Sequence, residues 1–363
     1  MKNITVLLSA SGSPSMPGII DCFKKNGERD IRIIGMDMCD EPSAKYLVDQ
    51  FYKVPAATSE DYVNVVLDIC KKEQVDLYFP NISAEVTAVS KRKNEFLMNG
   101  TILSVLEQSI VQVANNKLKL YEFLKNKGIS VPKFYGVHSI GDFVSGCKYL
   151  GYPENPVCLK IVDGSGSRGV RIIDSKRNRY QIFVNEKPNS FFVAYDDMLS
   201  ILSEAEDFHE MLLVEYMPGH EYTVDLLADK GTVRYMVGRE NIVSLMSIAQ
   251  ESEVRKDDAA YQMSKDIVSA LNLDGNIGLD FMRDKNGNAI LMDLNPRITA
   301  TVSVIAAAGV NLPYLRVKQL LGEKLPLVQP VYGTRLKRRY GEIYTDINGY
   351  RVDIKKMTEI KGE

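Results

Sequence analysis

The residues of this chain best suited to chemistry stand within residues 288–300, NAILMDLNPRITA. An apolar run there ends in Asp293, Asn295 and Arg297 at alternate positions, with Pro296 between the last two. Alternate side chains of an extended chain point to one face, so a carboxylate, an amide oxygen and a guanidinium emerge side by side from a strand end. A hard cation such as Mg2+ takes oxygen ligands and shares its sphere with substrate phosphates, while a planar guanidinium grips a carboxylate or phosphate with two parallel hydrogen bonds. These residue types at this spacing suit metal and anion binding. Residues 277–282, IGLDFM, add Asp280 among apolar neighbours, and RDKNGN at 283–288 carries the Asn-Gly pair of a tight hairpin. Such a hairpin sets Asp280 and Asp293 on neighbouring strands. One of these acids alone reads as a strand cap or a partner for a nearby Arg or Lys. Two acids across a hairpin beside D-x-N-P-R read as a metal site.

Cations able to meet a phosphate lie upstream. Lys117 opens a predicted helix that Gly128 and the Val131-Pro132 pair close. The helix dipole favours anions at that end, so a phosphate ligand accounts for a lysine there; a solvated side chain is the plainer account. Lys160 sits in an apolar strand, VCLKIV at 157–162, and DGSGSRGVRII follows. Gly164, Gly166 and Gly169 interleave with Ser165, Ser167 and Arg168 in a loop whose backbone N–H groups can close over phosphates. Lys160, Arg168 and Arg171 supply the matching charge. G-K-[ST] is absent and a strand follows rather than a helix, so this is not a Walker loop. Without its cations it reads as a flexible hairpin turn.

Residues 211–216, MLLVEY, form a strand running into Met217-Pro218-Gly219, and EYTVDLLA at 221–228 reads as its antiparallel continuation. A strand ending in that turn, at Glu215, Tyr216 and Met217, can offer edge backbone groups to an adenine, and Glu215 or Glu221 an acid to a ribose. His220 reads as a turn residue.

The elements that position these groups follow from the hydrophobic pattern. ITVLL at 4–8 is a buried parallel strand, SASGSPSMPG a loop, residues 19–25 the start of a helix, and IRIIGM at 31–36 the next strand with Asp37 at its end. Gly12, Pro14 and Gly18 do not make G-x-G-x-x-G, so Asp37 reads as a turn residue and not as the ribose ligand of a dinucleotide site. Residues 62–72 are helical, 75–80 a strand ending at Asn81, and 102–106 a last strand. Alternating strands and helices to residue 108 predict a small open parallel α/β sheet with its crevice near residues 9–15, Asp37 and Asn81. Residues 180–210 look helical, 260–271 form an amphipathic helix, and Gly309 and Gly322 close two short helices. The tail from Thr334 reads as an exposed edge strand.

With 363 residues the chain is long enough for two or three domains. Lys and Arg total 45 against 47 Asp and Glu, so no global charge points to a nucleic acid or an acidic membrane, and local charge must carry ligand binding. Five dispersed cysteines without a C-x-x-C pair argue against a disulfide framework or a zinc site and suit a reducing, cytoplasmic setting. The N-terminus does not read as a signal peptide, and no apolar run is long enough for a membrane helix.

Lys117, Lys160 with its glycine loop, VEYMPG, Asp280 and D-L-N-P-R, in this order, resemble the ATP-grasp superfamily over most of the chain, and most closely the branch similar to the large chain of carbamoyl-phosphate synthase. The resemblance implies an α/β and α+β fold: an N-terminal parallel domain over 1–108, a two-subdomain ATP-grasp domain over 109–330 with its lid at about 150–218, and a closing segment over 331–363. It further implies that ATP is held between the subdomains, a carboxylate is phosphorylated to an acylphosphate, and an amine or similar nucleophile attacks. On that basis Lys117 and Lys160 contact phosphates under a lid of Ser165, Gly166, Ser167, Arg168 and Gly169. Glu215, Tyr216 and Met217 form the adenine hinge, and Glu221 binds ribose. Asp280, Asp293 and Asn295 hold two Mg2+, with Mn2+ as an alternative ion, and Arg297 orients the carboxylate. Both metal acids are Asp where the family commonly has Glu, one methylene longer. The expected partners are small-molecule carboxylates and amines, with no nucleic acid or membrane, and a homodimer is compatible. Two other functions stay open: a bicarbonate-using, carbamoyl-forming enzyme, and a nucleotide sensor without turnover.

Overall fold

The structure, a computed structural model, describes residues 2–164, 166–187, 190–245, 248–339 and 341–354. Its first sheet is parallel, in the order Gln50–Lys53, Ile31–Asp37, Ile4–Leu8, Leu77–Phe79, Ile102–Leu103. The central strands are apolar on both faces, with Val6, Leu7, Ile33 and Ile34 fully buried, because helices such as Met16–Lys24 and Tyr62–Glu73 cover the sheet. The edge strand Gln50–Lys53 is too short and polar to stand out from the sequence. Asp37 accepts from the backbone N–H groups of Gly12 (2.7 Å) and Cys39 (2.9 Å), as a strand-end turn residue does.

Two further sheets follow. One has the order Phe134–Val137, Met211–Glu215, Val157–Ile161, Arg171–Ile173, Phe192–Val193. Four of these strands lie within the expected lid span; Phe134–Val137 lies ahead of it. The other runs Ala289–Asn295, Gly275–Arg283, Glu221–Asp229, Thr232–Leu245, Ile248–Val254, Arg335–Lys337. Residues 180–210 are less helical than expected, holding Arg179–Asn185, Tyr195–Ser203 and the strand Phe192–Val193 between them.

The expected hairpin between residues 211–216 and 221–228 does not form. Met211–Glu215 pairs with Phe134–Val137 on one side and Val157–Ile161 on the other, and Glu221–Asp229 is likewise enclosed by its own two neighbours. Both edges of each strand are taken, so residues 216–220 instead carry the chain from one sheet to the next. Gly219 permits this crossing, since a Cβ there would sit 2.4 Å from that of Arg283.

The hairpin at Asn286-Gly287 does form, and it pairs Asp280 directly with Asp293. The helix Lys117–Asn126 is fixed against that strand by Tyr121, fully buried, whose hydroxyl donates to the Met292 carbonyl at 2.9 Å. Burying an aromatic side chain of this kind contributes about 1.5–3 kcal/mol, and the hydrogen bond sets the helix in register with the strand.

Candidate active site

Directly opposed residues in an antiparallel pair share a face, so Asp280 and Asp293 look into one cleft. Thr223, opposite Asp280 on the next strand, donates its hydroxyl to Asp280 Oδ1 at 2.7 Å, and Asn295 Nδ2 donates to Oδ2 at 2.8 Å. Burial, then the neighbouring charges of Glu221 and Asp293, push the Asp280 carboxyl up to about 7. Crowded carboxylates that disfavour one another's charge are what a divalent cation relieves. Among the described residues no three His, Cys, Asp or Glu surround a common point. Two carboxylates are nonetheless enough for Mg2+ when phosphates complete its sphere, so the donor set fits that ion.

This shift gives a stability signature. Unfolded Asp titrates near ~3.9, so the folded, metal-free protein binds the extra proton and loses stability as pH rises from about 4 through about 7. Glu85, raised to about 7 chiefly by burial, acts in the same window. We expect the melting temperature in a chelator to fall between pH 5 and pH 8, and Asp280→Asn to remove part of that fall. A variant with the wild-type slope would show that Asp280 is ionised throughout.

Lys117 links three parts of the site. Its backbone N–H donates to the Val162 carbonyl at 2.9 Å, and its Nζ lies 3.0 Å from the Gly164 carbonyl and 3.3 Å from Asp293 Oδ2. A lysine at a helix start thus has its partners: the base of the glycine loop and Asp293 on the strand Ala289–Asn295. Lys160 and Cys158 alternate on Val157–Ile161 and line the same cleft. In the loop, Gly169 has a φ of +69° and packs against Ile161, where a Cβ would come within 2.3 Å of a side-chain carbon. Ser165 lies outside the described residues.

At the crossing between sheets, Glu215 is engaged by the chain itself: Oε1 accepts from Lys133 N at 2.7 Å, and its own N–H donates to Lys133 O at 3.0 Å. Glu221 Oε1 accepts from Asn241 Nδ2 at 2.7 Å, which holds it on the face shared with Thr223 and Asp280. Arg297 lies deep in the cleft, with NH2 on Asn295 Oδ1 and NH1 on the Ile298 carbonyl, both at 3.1 Å, and no partner for Nε. Asn295 therefore turns its nitrogen to Asp280 and its oxygen to Arg297. Burial works against the Arg297 charge, while Asp280, Asp293 and Glu85 support it.

One cleft of about 530 Å³ is lined by Lys117, Lys160, Gly166, Ser167, Arg168, Glu215, Tyr216, Met217, Glu221, Asp280, Asp293, Asn295 and Arg297. Gly169 is not in the wall itself, though Arg168 and Val170 on either side of it are. Sequence reasoning gave no role to Arg239, Asn241 or Thr299, which the cleft also contains. Arg239 Nε binds Asp225 Oδ2 at 2.7 Å and Thr299 Oγ1 donates to Asp225 Oδ1, so a buried ion pair braces the floor. Thr299 can reach it because Gly278 leaves room: a Cβ there would lie 2.2 Å from Thr299 Cγ2. In the sequence Arg239-Glu240 reads as the charged end of a strand, whereas the strand Thr232–Leu245 carries the pair within it.

Residues 207–340 match a family described as ATP-grasp in the biosynthetic pathway with Ter operon, and residues 6–105 match the PylC-like N-terminal domain. The arginine-specific large chain of carbamoyl phosphate synthase from Bacillus subtilis (strain 168) is 23% identical over 312 residues, 80% of this chain and 27% of that protein. The carbamoyl phosphate synthase large chain from Clostridium botulinum (strain Kyoto / Type A2) is 25% identical over 288 residues, 76% of this chain and 24% of that protein. The chain thus spans about a quarter of the length of these relatives. Among solved structures, the biotin carboxylase domain of the Hydrogenobacter thermophilus 2-oxoglutarate carboxylase, in complex with MgADP, ADP and bicarbonate, has a TM-score of 0.66 at 18% identity, covering 92% of this chain and 74% of that one. The L-amino acid ligase from Bacillus licheniformis has a TM-score of 0.62 at 17% identity, covering 88% and 74%. An ADP complex of N5-carboxyaminoimidazole ribonucleotide synthetase has a TM-score of 0.64 at 14% identity, covering 89% and 78%. Fold, element order and motif order agree: the chain carries an ATP-grasp domain behind a PylC-like N-terminal domain and is related to the carbamoyl phosphate synthase large chains.

Proposed function

We propose that the chain is an ADP-forming ligase that phosphorylates a carboxylate with ATP and joins the resulting acylphosphate to an amine. The observation that carries this reading is the gathering in one cleft of a paired carboxylate site, two lysines under a glycine loop, and a buried guanidinium with an unpartnered Nε.

Phosphoryl transfer asks for positioning and charge neutralisation more than for covalent help. Lys117 and Lys160 hold the phosphates, and the loop from Gly164 to Gly169 closes over them. The N–H groups of Glu215 and Tyr216 are spent on Lys133 and Pro156, so the adenine edge is met by the Glu215 carbonyl and the Met217 N–H. Glu221 receives the ribose. Asp280, Asp293 and Asn295 would hold two Mg2+, which would supply charge neutralisation at the phosphates. Arg297 holds the carboxylate in line with the γ-phosphate and keeps hold of the acylphosphate oxygens after transfer. Closure of the loop excludes water that would otherwise hydrolyse the acylphosphate.

ADP release measured over a panel of acids crossed with amines, bicarbonate with ammonia included, tests the proposal. ADP appearing only with one acid and one amine together is the expected outcome. ADP with bicarbonate and ammonia alone would shift the assignment to carbamoyl formation, and ATP binding without turnover on any pair would make the chain a sensor.

A further inference from the structure

The N-terminal domain meets the cleft with a side chain that the reading above does not use. Asn81 follows the strand Leu77–Phe79 at the carboxyl end of the parallel sheet, lines the cleft and is only 7% exposed. Its Nδ2 donates to the carbonyls of Ser9 (3.1 Å) and Phe79 (3.2 Å). Two carbonyl acceptors on one nitrogen fix which way the amide faces, since turning it over would set oxygen against oxygen. The Oδ1 that results has no partner. A buried acceptor in this state is costly until a donor reaches it.

The surroundings favour a cationic donor. Glu85 stands behind Asn81, 5% exposed, taking hydrogen bonds from the Ser9 hydroxyl and, at 3.4 Å, from the Asn81 backbone N–H. The helix Met16–Lys24 also begins at the cleft, beside Ser13 and Ser15, and a helix start normally draws anions. Two of its first donors are spent within the chain, however. Met16 N–H goes to the Ser13 carbonyl at 2.9 Å, Ile19 N–H to the Ser15 carbonyl at 3.2 Å, and Pro17 has none. The hydroxyls of Ser13 and Ser15 share one hydrogen bond at 2.7 Å. Asn81 itself presents an acceptor with an acid behind it, and the same cleft holds the unpartnered Nε of Arg297. An acceptor on one wall and a guanidinium on another complement a zwitterion.

We infer that the carboxylate substrate is an amino acid, its ammonium group received by Asn81 Oδ1 on the N-terminal domain while Arg297 takes its carboxylate. This rests on the ligase reading. The attacking amine could bring the same chemistry to Asn81, so the test separates the two sources.

The probes are amino acids of both hands, each paired with its desamino acid, as alanine with propanoate. Binding is measured by calorimetry on the full chain saturated with Mg2+ and a non-hydrolysable ATP analogue. Turnover is measured with ATP and hydroxylamine, whose nitrogen attacks the acyl carbon, expelling phosphate and leaving a hydroxamate after loss of a proton. At least one amino acid should bind about tenfold or more tightly than its desamino partner, the scale of one hydrogen bond to a charged group. Asn81→Ala should bring that ratio towards one, and Asn81→Asp should keep it. The ratio is internal to each variant, so a partly unfolded preparation does not disturb it. Equal affinity for the paired acids, or a ratio that neither variant moves, overturns the inference. So does a change confined to the KM of a second amine, which would place Asn81 on the nucleophile. Selective binding that persists without hydroxamate or ADP formation supports the recognition and counts against the ligase reading instead.

Discussion

Asp293→Ala is expected to bring ADP formation below detection while the protein stays folded. Asp293 stands directly opposite Asp280, and its two oxygens take a backbone N–H from Leu294 at 3.0 Å and the Lys117 ammonium at 3.3 Å. The side chain is about a third exposed, 32%, so its removal opens no core cavity, and Lys117, though it loses its counterion, keeps the Gly164 carbonyl. Chemistry suffers where stability does not, because Asp280 alone cannot hold a cation between phosphates, and Glu221, the further carboxylate on that face, is engaged by Asn241. Circular dichroism and the melting temperature report the fold, and steady-state ADP release reports the site. Wild-type-like turnover in this variant would remove the metal assignment altogether.

Arg297→Lys is expected to lower kcat/KM for the acid by roughly 2 to 4 kcal/mol while ATP affinity stays within a few-fold, the scale of a lost contact to a developing oxyanion. Lysine keeps the charge but loses the two-pronged geometry that a carboxylate and then an acylphosphate require. An arginine that serves both should contribute most as charge develops in the transition state. The rival view makes Arg297 a structural ion partner of Asp280 or Asp293. Its hydrogen bonds go to neutral groups instead, the Ile298 carbonyl and the Asn295 amide oxygen, and its Nε is left over. Calorimetric titration with ATP and a melting curve separate the two views. A joint loss of nucleotide binding and thermal stability would refute the catalytic assignment.

The site was legible wherever local chemistry is written in a short stretch of chain. Alternation along Ala289–Asn295 and the Asn-Gly turn suffice to pair Asp280 with Asp293, because a tight turn fixes register. Most of the N-terminal parallel sheet was legible for a similar reason, its strands being apolar runs apart from the polar edge Gln50–Lys53. The failed hairpin at residues 216–220 shows the limit. Strand propensity and a Pro-Gly turn say that two strands follow one another, but only the rest of the chain decides whether their edges are still open. Arg239, Asn241 and Thr299 were missed on the same ground, since they meet across strands distant in sequence. Asn81 was placed at the crevice but its chemistry was not, because an unpaired oxygen exists only once Ser9 and Phe79 have claimed the nitrogen.

The contact between Lys117 and Asp293 carries a thermodynamic consequence. Each is the other's counterion in the free protein, and each is assigned a different partner in the nucleotide complex, the lysine a phosphate and the aspartate a divalent ion. Nucleotide alone would draw Lys117 away and leave Asp293 beside more negative charge. The ion alone would draw Asp293 away and leave Lys117 facing a second cation. Either half-exchange is penalised and the full exchange is not, so the two ligands should bind with positive coupling. By linkage that coupling is reciprocal: Mg2+ should tighten ATP binding by the same factor by which ATP tightens Mg2+.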